Sequence, residues 1–371
     1  MSQRPPTIVA TVGQTPLAKP LMAWFPDHAR VRITSVPPGL SGDEVYRVEC
    51  LDDGECYALK ASHWDAKRAS RATTIERVIH DSSRSCAALT PCVPTRAARS
   101  THVHVIGDIA FRCFPWREGE SISGGASRAS IKTCMTTIAS VHSALAGIPV
   151  DRTTSRAWAS GTRRQHRQRL DRIRETLSAS GVPRHRPGPL GPAIDEAYWC
   201  LHDAVRSGRC DGWRHQLDDL ETQRNEGPSQ WILKDLHCDN ILLNQCDGSV
   251  AIIDHDAAAV DVPAVDVARC LGSVPRLQDQ FQSASDAMAW ATAEYRRIRP
   301  FSTAEQDLAE LLMVSGWLGS LANWVVWTNQ EQRVFAWSDA ALASRISALA
   351  GRFRSLAGSG GPNSITYEST L

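Results

Sequence analysis

The side chains best suited to chemistry gather in one short stretch. Leu233-Lys234-Asp235-Leu236-His237-Cys238-Asp239-Asn240 sets Asp235 and Asn240 five residues apart, in a segment too polar to be core. Ile241-Leu242-Leu243 follows as a buried strand, and a turn at Asp247-Gly248 returns the chain through Val250 to Ile253. That hairpin brings Asp254 back toward the loop. Two carboxylates and one amide oxygen then face one point, and hard oxygen ligands of that kind suit Mg²⁺. A spare carboxylate beside such a metal suits the base that orients a hydroxyl nucleophile. Phosphoryl transfer asks for these parts, because the protein supplies positioning and charge neutralisation rather than covalent chemistry.

The pattern Asp235-x-x-x-x-Asn240, with Asp254 on the next hairpin, resembles the catalytic loop and metal-binding Asp of kinases. Upstream, Tyr57-Ala58-Leu59-Lys60 resembles the strand that carries a phosphate-pairing lysine, and Glu76 on the following helix is its natural ion-pair partner. Gly39-Leu40-Ser41-Gly42 lies just before a strand, where a phosphate-covering loop belongs. Each signal alone is weak. A lone lysine on a strand is usually a surface lysine, and a lone Gly-x-x-Gly is usually a turn. Together, with a sheet before and helices after, they describe a nucleotide-dependent phosphotransferase.

The elements that must position these residues are legible. Val31 to Val36, Val45 to Leu51 and Cys56 to Ala61 read as strands, and Asp52-Asp53-Gly54 as the turn of a hairpin. A helix is expected from about Trp64 to His80. His102 to Ile106 and Ile109 to Phe114 form a second hairpin about Gly107-Asp108. Beyond Trp116 the pattern becomes helical: Ile131, Met135, Ile138, His142 and Leu145 recur at steps of three and four. Ser302-Thr303-Ala304-Glu305 is a capping box that opens a long apolar helix toward Trp327.

The whole resembles the aminoglycoside phosphotransferase / choline kinase-like family, over roughly Val31 to Trp327. The family reads approximately H-G-D-L-H-x-x-N, an I-D-F/W-D segment, then D-x-A. Here these are residues 233–240, Ile253-Asp254-His255-Asp256, and Asp266-Val267-Ala268. The resemblance implies Asp235 as catalytic base, Asn240 and Asp254 as Mg²⁺ ligands, and Lys60 on the phosphates of ATP. It implies Phe114-Pro115-Trp116 as a hinge that meets adenine, and Asp266 as a buried anchor of the catalytic loop. Asp256 is a further candidate near a second metal. Only 12 residues separate Asp254 from Asp266 (266 − 254), too few for a protein-kinase activation segment. The 119 residues from Trp116 to Asp235 (235 − 116) leave room for substrate-binding helices.

Two positions depart from the family. Its loop histidine is Leu233, which can brace only by packing, and its glycine is Lys234, which could meet transferred phosphate or face solvent. His142, on the apolar seam of its helix, reads as a core histidine. The run Arg163, Arg164, Arg167, Arg169, Arg172, Arg174 reads as a solvated face, or as a site for an anionic substrate.

Composition narrows the classes. The chain has 371 residues and a net charge of +1 from 41 basic and 40 acidic side chains, which argues against a nucleic-acid binder. Eleven cysteines without metal-ligand spacing read as reduced thiols. No run of about 18 apolar residues reads as a membrane span. A cytoplasmic monomer or homodimer is expected.

The expected architecture is α+β, a two-lobed protein-kinase-like fold with a small antiparallel N-lobe sheet and a larger, mainly helical C-lobe. A flexible segment over 1–30 precedes the N-lobe (31–115) and the C-lobe (116–357), and a disordered tail covers 358–371. The expected function is ATP-dependent transfer of the γ-phosphate to a hydroxyl of a small molecule. Leu233 motivates an alternative: a catalytically weak nucleotide-binding module that regulates a partner.

Overall fold

The computed structural model describes residues 7–37, 43–64, 66–97, 101–122, 127–150, 166–178, 188–222, 229–335 and 337–357. Two compact units divide the chain. One comprises Met1–Glu120, Ala144–Ile148 and Leu242–Ala258; the other comprises Ser121–Ser143, Pro149–Ile241 and Ala259–Leu371.

The first unit is built on a six-stranded antiparallel sheet: β1 (Thr7–Thr11), β2 (Arg30–Val36), β3 (Glu44–Cys50), β4 (Cys56–His63), β5 (His104–Ile106) and β6 (Ile109–Pro115), in the order β1-β2-β3-β4-β6-β5. Alternation in β2 sends Val31 and Ile33 into the core, where Val48 and Leu59 meet them. The turn at Gly107 needs a left-handed residue, and its φ of 63° supplies one. A short helix, α1 (Ala18–Leu21), lies between β1 and β2, and α2 (Ala66–Ser83) follows β4.

The segment expected to be flexible is part of this core. Residues 7–11 add an edge strand to β2, and Val12, Leu21, Trp24 and Phe25 are buried against the sheet. The Pro-rich composition hid four apolar anchors whose burial outweighs the cost of ordering the chain. The expected tail over 358–371 lies outside the described residues.

The second unit is mainly helical: α3 (Arg128–Ala146, whose last turn from Ala144 is assigned to the first unit), α4 (residues 166–178), α5 (Leu190–Arg206), α6 (Arg209–Thr222), α7 (Ala264–Ser273), α8 (Ala284–Arg296), α9 (Thr303–Val325) and α10 (Asp339–Arg352). The apolar repeat of α3 is fully inside, with Ile131, Met135, Ile138, His142 and Leu145 buried. The capping box at Ser302 and Glu305 forms as the sequence predicts. Thr303–Gln330 is long and apolar enough to cross a membrane by length and composition, yet 72% of its apolar window is buried inside the protein. It serves as a core helix: Trp317 Nε1 donates to the Gly272 carbonyl at 2.7 Å, joining α9 to α7.

Two short strands frame the loop of interest. Gln230–Ile232 pairs antiparallel with Ala259–Asp261, in the register Ile232 to Ala259 and Gln230 to Asp261. The first strand feeds residues 233–240; the second leads through Pro263 into α7. All eleven cysteines are free thiols.

Candidate active site

In the first unit, sheet pairing sets Lys60 of β4 directly opposite Arg112 of β6. Two cations side by side need carboxylates, and four converge. Lys60 Nζ donates to Asp254 Oδ1 and Asp256 Oδ2, each at 2.9 Å, and lies 3.1 Å from Asp43 Oδ2. Arg112 forks onto Asp256, with one of its two bonds at 2.6 Å, and reaches Glu76 Oε1 at 3.3 Å. The expected ion pair of Lys60 with Glu76 is therefore not formed. Glu76 is held by Arg112 and by the Cys92 N–H at 3.4 Å, because the guanidinium on the neighbouring strand takes the helix carboxylate first.

Arg112 is 1% exposed and lies over the rings of Trp64 and Phe114. Its burial works against the charge, but Asp256 and Glu76 more than compensate and raise its pKa. The same holds for Lys60: burial opposes the ammonium, and Asp256 and Asp254 outweigh it. Asp256 is held below the usual carboxylate range despite burial, through Arg112 and Lys60.

Asp254 is delivered here by main-chain contacts. The Ile252 N–H donates to the Ala88 carbonyl at 2.7 Å, fastening the strand Val250–Ile252 to the segment after α2. Asp254 itself has φ of 61°, a left-handed conformation that Asp tolerates better than most residues.

Phe114, one residue before the end of β6, stands opposite Ala58, and the Trp116 N–H donates to the Cys56 carbonyl at 2.8 Å. The Arg47 guanidinium covers the Trp116 ring at 5.0 Å. Gly39 and Gly42 lie outside the described residues.

In the second unit, one buried carboxylate organises the loop over 233–240. Asp266, on the first turn of α7, accepts from the Leu233 N–H at 2.8 Å and the Lys234 N–H at 2.6 Å. His142 Nε2 lies 3.0 Å from Asp266 Oδ2, and His142 Nδ1 lies 2.8 Å from the Tyr295 hydroxyl. The brace that a loop histidine would give is thus supplied through the backbone. Leu233 is buried and adds packing. Lys234 has φ of 67°, which explains why a glycine suits this position. Its ammonium lies 3.4 Å from the buried Asp261 carboxylate, an internal ion pair that neither of the two expectations named.

Asp235 lies within reach of an imidazole and a guanidinium. His237 Nε2 is 3.2 Å from Asp235 Oδ1, and Arg269 donates to the same oxygen at 3.0 and 3.2 Å. His237 first, then Arg269, hold its carboxyl well below the usual range, against the opposing effect of burial. The Asn240 amide donates to the Asp235 carbonyl at 3.1 Å, which leaves Oδ1 as the atom that could meet a cation.

Arg112, Asp43 and Arg269 were not singled out by sequence. Arg269 had a signal, since it stands one helical turn after Asp266 on α7. Arg112 becomes visible only through the β4–β6 pairing, which joins strands far apart in sequence.

Residues 42–301 match the phosphotransferase enzyme family. The chain belongs to that family. No curated protein sequence matches it. Among solved structures, an aminoglycoside phosphotransferase from Alicyclobacillus acidocaldarius is similar, with TM-score 0.59 and 15% identity over 88% of this chain and 90% of that one. A spectinomycin phosphotransferase in complex with ADP and spectinomycin aligns with TM-score 0.53 and 10% identity, covering 88% and 94% of the two chains. A choline/ethanolamine kinase family protein from Mesorhizobium loti aligns with TM-score 0.50 and 14% identity, covering 92% of each. At these identities the likeness is one of fold: an antiparallel sheet in one unit and a mainly helical remainder, as the sequence predicts.

Proposed function

We propose that this family member transfers the γ-phosphate of ATP to a hydroxyl of a small molecule, with Asp235 orienting the acceptor hydroxyl and taking its proton. The observation that carries this reading is the bracing of the 233–240 loop by Asp266. Its two backbone hydrogen bonds hold the loop in a defined conformation although the family histidine is replaced by Leu233. Phosphoryl transfer depends on positioning and charge more than on a strong base. An Asp235 held ionised by His237 and Arg269 suits that demand.

Lys60 is the residue for the nucleotide phosphates, and Phe114 and Trp116 for adenine. Glu76 acts at one remove, through Arg112. Asp254 and Asn240 would hold Mg²⁺. The carboxylates around Lys60 are hard oxygen donors, the chemistry that ion requires. When bound, Mg²⁺ neutralises charge on the phosphates.

The test is Asp235→Asn, assayed by ADP release over a panel of hydroxyl acceptors and by thermal unfolding with Mg²⁺-ATP. Turnover should fall by at least about a hundredfold, while the Mg²⁺-ATP stabilisation persists. Turnover within tenfold of wild type would remove Asp235 from the base role. Stabilisation by Mg²⁺-ATP without turnover in wild type would instead favour the nucleotide-binding module.

A further inference from the structure

Of the arginine run, Arg167 and Arg174 on α4 pair with Asp218 and Asp211 of α6, and Arg163 and Arg164 lie outside the described residues. The loop over 233–240 carries a different inference.

One stripe of α7 follows that loop from end to end. Asp266, Arg269 and Ser273 stand at i, i+3 and i+7, positions that share a helix face. In the same order they hold the N–H groups of Leu233 and Lys234, the Asp235 carboxylate, and Cys238. The first two contacts act on the Asp235 end of the loop. The third acts on the other end, where Asn240 stands.

Ser273 grips Cys238 twice. Its Oγ accepts from the Cys238 N–H at 2.8 Å, and its carbonyl accepts from the Cys238 thiol at 3.0 Å. The hydroxyl proton is committed elsewhere, since Oγ donates to the Cys270 carbonyl at 2.8 Å, one turn back on α7. That leaves the oxygen lone pairs for Cys238. The Ser273 carbonyl is among the last of α7, which have no partner within the helix. The loop thus caps the helix, and the helix fixes the loop. Cys238 is 2% exposed, so loss of this acceptor would leave a buried N–H unpaired.

The turn that follows passes this grip to Asn240. Cys238–Asn240 is a 3₁₀ turn, and the Cys238 carbonyl accepts from the Ile241 N–H that closes it and from Ser121 Oγ at 3.1 Å. The peptide groups on both sides of Cys238 are therefore set, one by Ser273 and the other by Ile241 and Ser121. The Asn240 N–H donates to the His237 carbonyl at 2.9 Å and its side-chain amide to the Asp235 carbonyl at 3.1 Å, with Oδ1 left to face a cation. Asp239 offers a weaker hold. It lies 3.9 Å from Arg345 in a pair open to solvent, which contributes little.

We propose that Ser273 is a positioning residue for the metal-binding end of the loop: through Cys238 it aims Asn240 Oδ1 and so sets how much Mg²⁺ the protein needs. The proposal rests on the kinase reading above, with Asn240 as a Mg²⁺ ligand. It divides the stripe by task, Asp266 and Arg269 serving Asp235 and Ser273 serving Asn240.

The experiment compares the full chain with Ser273→Ala, Ser273→Thr and Trp317→Phe. Ser273→Ala removes the acceptor of the Cys238 N–H. Ser273→Thr keeps a hydroxyl that can still bond back to the preceding turn. Trp317→Phe removes the hydrogen bond to the neighbouring Gly272 carbonyl, so it loosens the same end of α7 without removing a hydrogen bond to the loop. Mg²⁺ is titrated at a fixed ATP concentration and followed by thermal unfolding. Amide hydrogen exchange over residues 236–242 is read without nucleotide. Ser273→Ala should raise the half-saturating Mg²⁺ about fivefold or more, the size of one lost hydrogen bond, and should speed the exchange. Ser273→Thr should restore both readings, and Trp317→Phe should leave the Mg²⁺ requirement unchanged. If Ser273→Ala fails to fold, Ser273→Cys takes its place with the same expected direction, because sulfur accepts only weakly. An unchanged Mg²⁺ requirement in the Ser273 variant, or an equal rise in Trp317→Phe, would overturn the proposal. Absence of any Mg²⁺-ATP shift in wild type would instead overturn the kinase reading, and this proposal with it.

Discussion

Lys60 and Arg112 stand directly opposite each other on neighbouring strands, and Asp256 accepts a hydrogen bond from both. The consequence is a relay of charge. Glu76 on α2 fixes Arg112, Arg112 fixes Asp256, and Asp256 helps fix Lys60. A lysine and a helix glutamate that would otherwise pair directly are here linked through an intervening guanidinium and carboxylate. Lys60 is thereby free to engage Asp254 as well.

Arg112→Met tests that relay. Glu76 is 1% exposed and would be left as an uncompensated buried charge. Breaking a buried pair from one side costs about 3–5 kcal/mol. Urea unfolding should show a loss of that size. Arg112→Lys should recover only part of it, because an ammonium cannot fork onto Asp256. A loss below about 1 kcal/mol for Arg112→Met would mean that Glu76 finds another partner.

His237 and Arg269 set the pH at which Asp235 loses its charge. With its folded-state pKa depressed, Asp235 in the folded protein stays ionised well below its unfolded value of about 3.9. The stability it contributes is present above that pH and is lost as the pH falls further. Wild type should therefore show no acid limb from Asp235 in kcat/KM above about pH 4. Arg269→Gln removes the guanidinium paired with Asp235, so a limb should move upward into the measurable range. Superimposable profiles for the two proteins between pH 4 and 8 would show that Arg269 does not govern Asp235.

Several of the residues described above could be picked out before the fold was known, for reasons that differ residue by residue. Asp235, Asn240 and Asp254 stand in a short loop and hairpin, so local sequence alone sets their spacing. Asp266 and His142 could be read as structural because one follows the hairpin closely and the other sits on a helical seam. Arg112 could not, since its neighbours are Lys60 on one strand and Glu76 on a helix. Residues 7–30 misled in the opposite direction: prolines marked looseness, while Trp24 and Phe25 anchor the segment by contacts remote in sequence. The arginines of α4 looked uniform, and only the structure shows Arg167 and Arg174 paired with Asp218 and Asp211 of α6.

His166 makes folding sensitive to mild acid. Burial, then Arg169, Arg269 and Lys234, lower it to about 3, so it is neutral in the folded protein at ordinary pH. The unfolded chain takes up a proton near pH 6.5. Stability from this residue is complete above that value and declines as the pH falls toward about 3. Between pH 6.5 and 5 the decline amounts to on the order of 2 kcal/mol. Chemical unfolding of wild type and His166→Gln at the two pH values should show a smaller decline for the variant. Equal declines would place the acid sensitivity elsewhere, the buried His255 being the next residue to examine.

Asp266→Asn separates the bracing of the loop from its chemistry. Two loop N–H groups and the His142 imidazole converge on this one carboxylate. An asparagine presents a single oxygen, so at least one buried donor loses its acceptor, at about 1–3 kcal/mol. Lys234 adds to the effect, because its left-handed backbone costs about 1–2 kcal/mol and persists only while its N–H is held. Relaxation of Lys234 would swing the neighbouring Asp235 off its mark, and misplacement of about 1 Å can cost about a hundredfold in rate. The expected result is a fall in kcat with a smaller change in the KM for ATP, together with lower stability in urea. Full kcat in a destabilised variant would show that the loop keeps its conformation without Asp266, and the brace would then be a matter of folding alone.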